Sequence, residues 1–146
     1  MTELGHAESF RDLLVYRKAQ AVSRTIFELS KSFPKEELFS LTDQIRRAVR
    51  SIGAQIAEAW AKRRYERHFV SKLSDADAEQ METQHWLSEA TACGYIESAR
   101  AEALVAELEQ IGRMLNSMME KSHLFCGQTP SVIRDEEAAY LSGENR

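Results

Sequence analysis

The sequence predicts an all-α protein, an antiparallel up-down-up-down four-helix bundle. Three observations carry that expectation. Four long segments place apolar residues at alternating steps of four and three, the spacing that lines one face of an α-helix. Only 2 prolines and 6 glycines occur among the 146 residues, most of them outside those segments. The connections between segments are short, and short connections make sequential helices antiparallel neighbours.

The first helix is expected over about 13–31, with Val15, Ala19, Val22, Ile26 and Leu29 on one stripe. Phe33-Pro34 stops it, because a residue before proline avoids the helical region. The second is expected over about 41–64, with Ser40 as N-cap and Asp43 near the positive end of the helix dipole. Its stripe is Leu41, Ile45, Ala48, Ile52, Ile56 and Ala59. Gly53 interrupts it at a cost of about 1 kcal/mol relative to alanine, which a close helix–helix approach could offset.

The third helix, about 66–93, carries Phe69, Leu73, Ala76, Gln80, Thr83, Leu87 and Ala90 in the same rhythm, and Gly94 supplies its stop. Gln80 and Thr83 stand where aliphatic residues are wanted. A buried polar pair costs stability unless hydrogen-bonded, and it can fix register. The fourth helix, about 98–122, opens at Ser98 as a cap and runs through Leu104, Leu108, Ile111, Leu115 and Met118. The mean step predicts a left-handed supercoil with crossings of about +20°.

The domain reading follows: a flexible N-terminus over 1–9, the bundle over 10–122 and a mobile acidic tail over 123–146, with a short helix near Asp135–Leu141. Apolar residues make up 43% and charged residues 29%, a normal globular mix that needs no metal or disulfide staple. No signal segment and no long apolar run is present, which excludes secretion and membrane spanning as expectations. Cys93 and Cys126 lack any paired or metal-ligand pattern. They read as reduced thiols of a cytoplasmic protein, with Cys93 packed at its helix end.

Net charge is −4, which argues against a bulk nucleic-acid binder. Its distribution says more. Between Leu41 and Lys72 stand eight cations, Arg46, Arg47, Arg50, Lys62, Arg63, Arg64, Arg67 and Lys72, against three acids, Asp43, Glu58 and Glu66. Arg46, Arg47 and Arg50 lie on adjacent turns. They suit a polyanion, because guanidinium groups grip phosphate bidentately, or ion pairs with Glu58, Glu79 or Glu82. Lys62, Arg63, Arg64 and Arg67 form a basic corner interleaved with Trp60, Tyr65 and His68. Such a corner suits base stacking and phosphate contact, or is simply a solvated helix end.

Trp60 and Trp86 fall off the core seam, and Leu14, Phe27, Val49, Met81 and Val105 form a surplus apolar set. A second stripe needs a partner, so Trp60, Trp86, Val49, Met81, Glu58 and Glu82 are the candidate oligomer interface. Glu82-Thr83-Gln84-His85 matches half of a di-iron motif, but the second copy such sites need is missing, so no metal and no cofactor is expected. No nucleophile elbow, phosphate-cradling glycine loop or clustered histidine set occurs, so no enzyme is expected.

One string is distinctive: Gln44-Ile45-Arg46-Arg47-Ala48, then Ser51-Ile52 and Ile56-Ala57-Glu58, preceded by Phe33-Pro34-Lys35-Glu36-Glu37 and Leu41-Thr42. Phe10, Leu13, Val15, Lys18 and Ala19 stand upstream; Glu82-Thr83-Gln84 and Gly94-Tyr95-Ile96 follow downstream. Over roughly Phe10 to Lys121 this resembles the four-helix-bundle proteins encoded within intervening sequences of 23S ribosomal RNA genes. The resemblance implies a cytoplasmic bacterial protein assembled as a ring-like homopentamer. It also implies kinship with the accessory proteins of diversity-generating retroelements, where a basic pentamer binds nucleic acid and a reverse transcriptase. The expected function is a non-enzymatic, homo-oligomeric binding or scaffold protein that contacts RNA, DNA or a nucleic-acid-handling protein. The competing expectation is a protein–protein adaptor with the acidic tail as its contact; a metal-binding bundle enzyme is a remote third.

Overall fold

The computed structural model describes residues 7–126; residues 1–6 and 127–146, and with them most of the expected tail and its short helix, lie outside the described residues. All regular structure among the described residues is helical: α1 (Leu14–Ser30), α2 (Leu41–Ala61), α3 (Glu66–Ala92), α4 (Ser98–Glu120) and a short α5 (Ser122–Cys126), with 3-10 turns at Phe10–Asp12 and Lys35–Glu37. The four long helices enclose one apolar core.

The expected stripes supply that core. Ile26, Ile45, Ile52, Ile56, Phe69, Leu73, Leu87, Leu108, Ile111 and Leu115 are all fully buried. Leu29 and Met118, at the ends of their stripes, are half-buried. Cross-helix contacts follow a simple rule: as the position rises in one helix, the partner's position falls in the next. Ser30 meets Arg46 and Tyr16 meets Gly53 between α1 and α2. Arg47 meets Glu79 and Glu82, and Gln55 and Glu58 meet Lys72, between α2 and α3. Helix α4 packs on both α3 and α1.

Helix ends depart from the sequence reading in instructive ways. Ser40 occupies the N-cap position of α2, but its side chain makes no capping bond; Glu37 supplies one instead, its Oε1 accepting from the Ser40 hydroxyl at 2.7 Å and the Leu41 N–H at 3.4 Å. Its other oxygen accepts from the Tyr95 hydroxyl at 2.8 Å, which ties the α1–α2 loop to the α3–α4 loop. Ser98 is the first helical residue, and Glu97 precedes it without a side-chain cap. Gly94 ends α3 with φ 78°, the left-handed conformation that favours glycine at a helix stop. At the N-terminus, Ser9 caps the first turn by accepting from Arg11 N–H, while Asp12 accepts from Ser9 N–H. Glu8 and Ser9, whose N–H groups both donate to Asp12 Oδ2, thus belong to a built turn, although 1–9 reads as loose in the sequence.

Two further corrections concern the cysteines and the tail. Cys93 is exposed, since it follows the last turn of α3 rather than joining the core. The tail reading starts at His123, yet 122–126 are helical. Phe125 is 3% exposed and stacks on Phe69 with ring centroids 5.5 Å apart. Cys126 is buried beside it and Leu124 packs against the core, a signal without periodicity.

Both members of the polar pair in the α3 stripe are hydrogen-bonded. Gln80 donates to Asp77 Oδ1 at 2.9 Å and accepts from Gln84 at 2.7 Å; the Thr83 hydroxyl donates to Glu79 O at 2.8 Å. Gly112 of α4 makes the room: a Cβ there would lie 2.8 Å from Gln80 Nε2. The close approach anticipated at Gly53 is milder, with the Tyr16 ring 3.4 Å from where a Cβ would stand.

Candidate nucleic-acid interface

The basic corner is produced by a tight link. Helix α2 closes at Lys62, whose N–H bonds back to Glu58 O and Ala59 O, and Tyr65 N–H bonds to Lys62 O at 2.9 Å before α3 begins at Glu66. So few residues between two helix ends leave little room for long side chains to fold inward. Lys62, Arg64 and Arg67 are exposed and form no ion pair among the described residues. Arg63 is held differently. Its guanidinium lies 3.6 Å from the Trp60 ring centroid and its Nε donates to Trp60 O at 2.9 Å. Burial against the ring pushes the Arg63 guanidinium below its ordinary value, while Cys126 nearby acts in the opposite sense. Guanidinium is so strong a base that it stays charged. Tyr65, 49% exposed, sits with its ring centroid 5.4 Å from the exposed His68 imidazole. The corner therefore presents unpaired cations beside two solvent-facing rings.

The other arginine cluster is engaged within the chain. Arg46 Nε donates to the Ser30 hydroxyl at 2.7 Å, and its guanidinium lies 4.5 Å from the Phe27 ring centroid. Arg50 lies 5.1 Å from the same ring. Arg47 pairs with Glu82 at 2.5 Å and with Glu79 at 3.9 Å. Phe27, a surplus apolar residue in the sequence reading, is half-buried and carries both guanidinium groups over its ring. Lys72 is likewise engaged, by Glu58 at 3.4 Å.

The candidate interface residues divide. Val49 is 1% exposed within its own chain, so it is core and not a contact for a partner; α2 simply buries a wider face than one seam. Glu58 pairs with Lys72, and Glu82 accepts from Arg47 and from Trp86 Nε1 at 3.0 Å. Trp60 and Trp86 are half-buried. Met81 is exposed. Among the described residues His85 lies 3.9 Å from Glu89 and edge-on to the ring of Trp86. Among the described residues no group of three His, Cys, Asp or Glu could hold a metal ion, and no helix is long and apolar enough to cross a membrane.

A model of the 23S rRNA-intervening sequence protein family matches residues 11–117. The chain belongs to that family. The matched span contains the whole α2–α3 corner of this intervening-sequence protein and stops short of α5. Among solved structures it is similar to a protein of unknown function from the S23 ribosomal protein family of Bacteroides thetaiotaomicron, with 30% identity, 73% of this chain and 96% of that chain covered, and a TM-score of 0.67. None of the curated proteins compared matches the chain.

Proposed function

We propose that this intervening-sequence protein is a non-enzymatic binding or scaffold protein that contacts the phosphates and bases of RNA or DNA through the α2–α3 corner. One observation carries the reading: Lys62, Arg64 and Arg67 are exposed and unpaired among the described residues, next to exposed Tyr65 and His68 and the Arg63–Trp60 stack. Cations without internal partners are available to phosphate, and exposed rings offer stacking surface. Arg46, Arg47 and Arg50 then serve the bundle rather than the ligand. The paired positions across α1, α2 and α3 support the up-down-up-down course, and the resemblance supports a ring-like homopentamer in the cytoplasm.

The test is binding of fluorescein-labelled single-stranded RNA by anisotropy across a salt series. Three or four phosphate contacts give a log–log slope of roughly −2 to −3. Arg64→Glu with Arg67→Glu flattens that slope and weakens binding at least tenfold. A flat dependence in the parent protein refutes the reading. Light scattering tests assembly; a stable monomer of 16.7 kDa removes the ring.

A second reading, a protein–protein adaptor without nucleic acid, is favoured by Phe39, 89% exposed beside Leu38 at 46%. These lie in the α1–α2 loop, remote in the chain from the corner. Phe39→Asp then disturbs partner binding, and the parent protein shows no salt-dependent binding of the labelled RNA.

A further inference from the structure

The corner has an acidic counterpart in its own chain, and the fold fixes where that counterpart starts. Phe125 stacks on Phe69 with centroids 5.5 Å apart, and Phe69 immediately follows Arg67 and His68 in the first turn of α3. Cys126 ends α5 buried, close enough to Arg63 to act on it electrostatically. The chain therefore leaves the bundle at the foot of the corner. Residues 127–146 follow, and within them Asp135, Glu136 and Glu137 stand consecutively, with Glu144 beyond; Arg134 and Arg146 are the cations of the segment. Asp135 is nine positions past Cys126, a reach of at most about 30 Å. One helix with its side chains is only about 10–12 Å across, so the acidic run can reach every cation of the corner.

We propose that the Asp135–Glu137 run docks on the Lys62–Arg67 corner of its own chain and competes there with a polyanion. Carboxylates accept from guanidinium groups with the same two-oxygen geometry as phosphates. Tethering supplies an effective concentration in the millimolar range, so weak contacts are enough to keep the corner occupied. A nucleic acid that offers several phosphates at once displaces the run; a lone anion does not. The acidic segment thus sets a threshold on what the corner accepts. This inference rests on the corner being the polyanion contact, but the docking itself is measurable without any nucleic acid.

The full-length chain is treated with a zero-length carbodiimide at low salt, and the peptides are mapped by mass spectrometry. Lys62 Nζ is expected to form an amide with a carboxyl of Asp135, Glu136 or Glu137, in material that runs as a single chain on a denaturing gel. The link fades as salt rises. Absence of any Lys62 link to this run, or links only between chains, overturns the proposal. In parallel, the full-length Asp135→Asn, Glu136→Gln, Glu137→Gln variant is titrated with the same labelled RNA. If the run occupies the corner nine-tenths of the time, the variant binds about tenfold more tightly. Equal affinity of variant and parent overturns the competition. If neither binds RNA while the Lys62 link forms, the polyanion reading of the corner fails and the docking stands.

Discussion

Replacing Phe125 with alanine asks whether the last turn of the described chain is part of the fold or merely rests on it. The ring is 3% exposed and stacks on Phe69, itself fully buried. Phenylalanine-to-alanine changes in well-packed cores cost about 3–5 kcal/mol, the spread reflecting how far the site can collapse. Here a groove of about 220 Å³ borders the ring, lined by Leu13, Leu14, Val15, Met114 and Met118. Methionines are unbranched and adapt to gaps, so partial collapse puts the cost near the low end, about 3 kcal/mol. For a domain of this size each kcal/mol moves the melting temperature by about 4 °C, giving a drop of about 12 °C. The assay is urea and thermal unfolding by circular dichroism at one fixed protein concentration, with Phe125→Leu as a companion that retains most of the apolar volume. A midpoint unchanged within about 0.5 kcal/mol refutes the reasoning, because α5 would then lie outside the cooperative unit.

Gly112 and Gly53 predict opposite signs for the same substitution. At Gly112 a Cβ would sit 2.8 Å from Gln80 Nε2 and 3.1 Å from Asp77 Oδ1, so overpacking outweighs the helix-propensity gain and Gly112→Ala loses about 1 kcal/mol. At Gly53 the nearest atom stands at an ordinary 3.4 Å, so Gly53→Ala gains about 0.5–1 kcal/mol; urea titration of both variants reads the signs directly. The Glu37–Tyr95 bond gives a pH signature. Hydrogen bonds from Ser40 and then Tyr95 hold the Glu37 carboxyl below its ordinary value, so its contribution is present above that range and lost as pH falls through the lowered value. Tyr95, hydrogen-bonded to Glu37, is pushed up to about 12, so its contribution is present below about 10 and lost as pH rises between the two. Tyr95→Phe removes the alkaline loss and weakens the acid one, as melting temperature against pH shows; an unaltered alkaline limb refutes the assignment.

The stripes were legible because burial along a helix has a period. All seven core positions assigned to α3, Gln80 and Thr83 included, are buried. What the sequence withheld lacks a period. Gly112 reads as an ordinary weak helix former until Gln80 stands opposite it. Ser40 and Ser98 are good caps by type, but Glu37 reaches the α2 terminus first and α4 starts a residue early. Val49 looked surplus because a single seam was assumed for α2, which lies against both α1 and α3. At the site, composition located the basic segment, but partnership depends on contacts far apart in the chain. Arg47 finds Glu82 across 35 positions and Arg46 finds Ser30 across 16, and neither is visible in a local window. The α2–α3 turn was easier, because too few residues connect the two helices to hide its cations.

The stacking of Arg63 on Trp60 has an optical consequence. A guanidinium 3.6 Å from the indole centroid polarises the ring, and drawing that cation away toward a phosphate or a carboxylate changes the indole's emission. The second indole, Trp86, is tied to Glu82 on α3 and serves as an internal standard. The chain thus carries an intrinsic fluorophore at its proposed contact and a reference elsewhere, and occupancy of the corner can be followed in unlabelled protein.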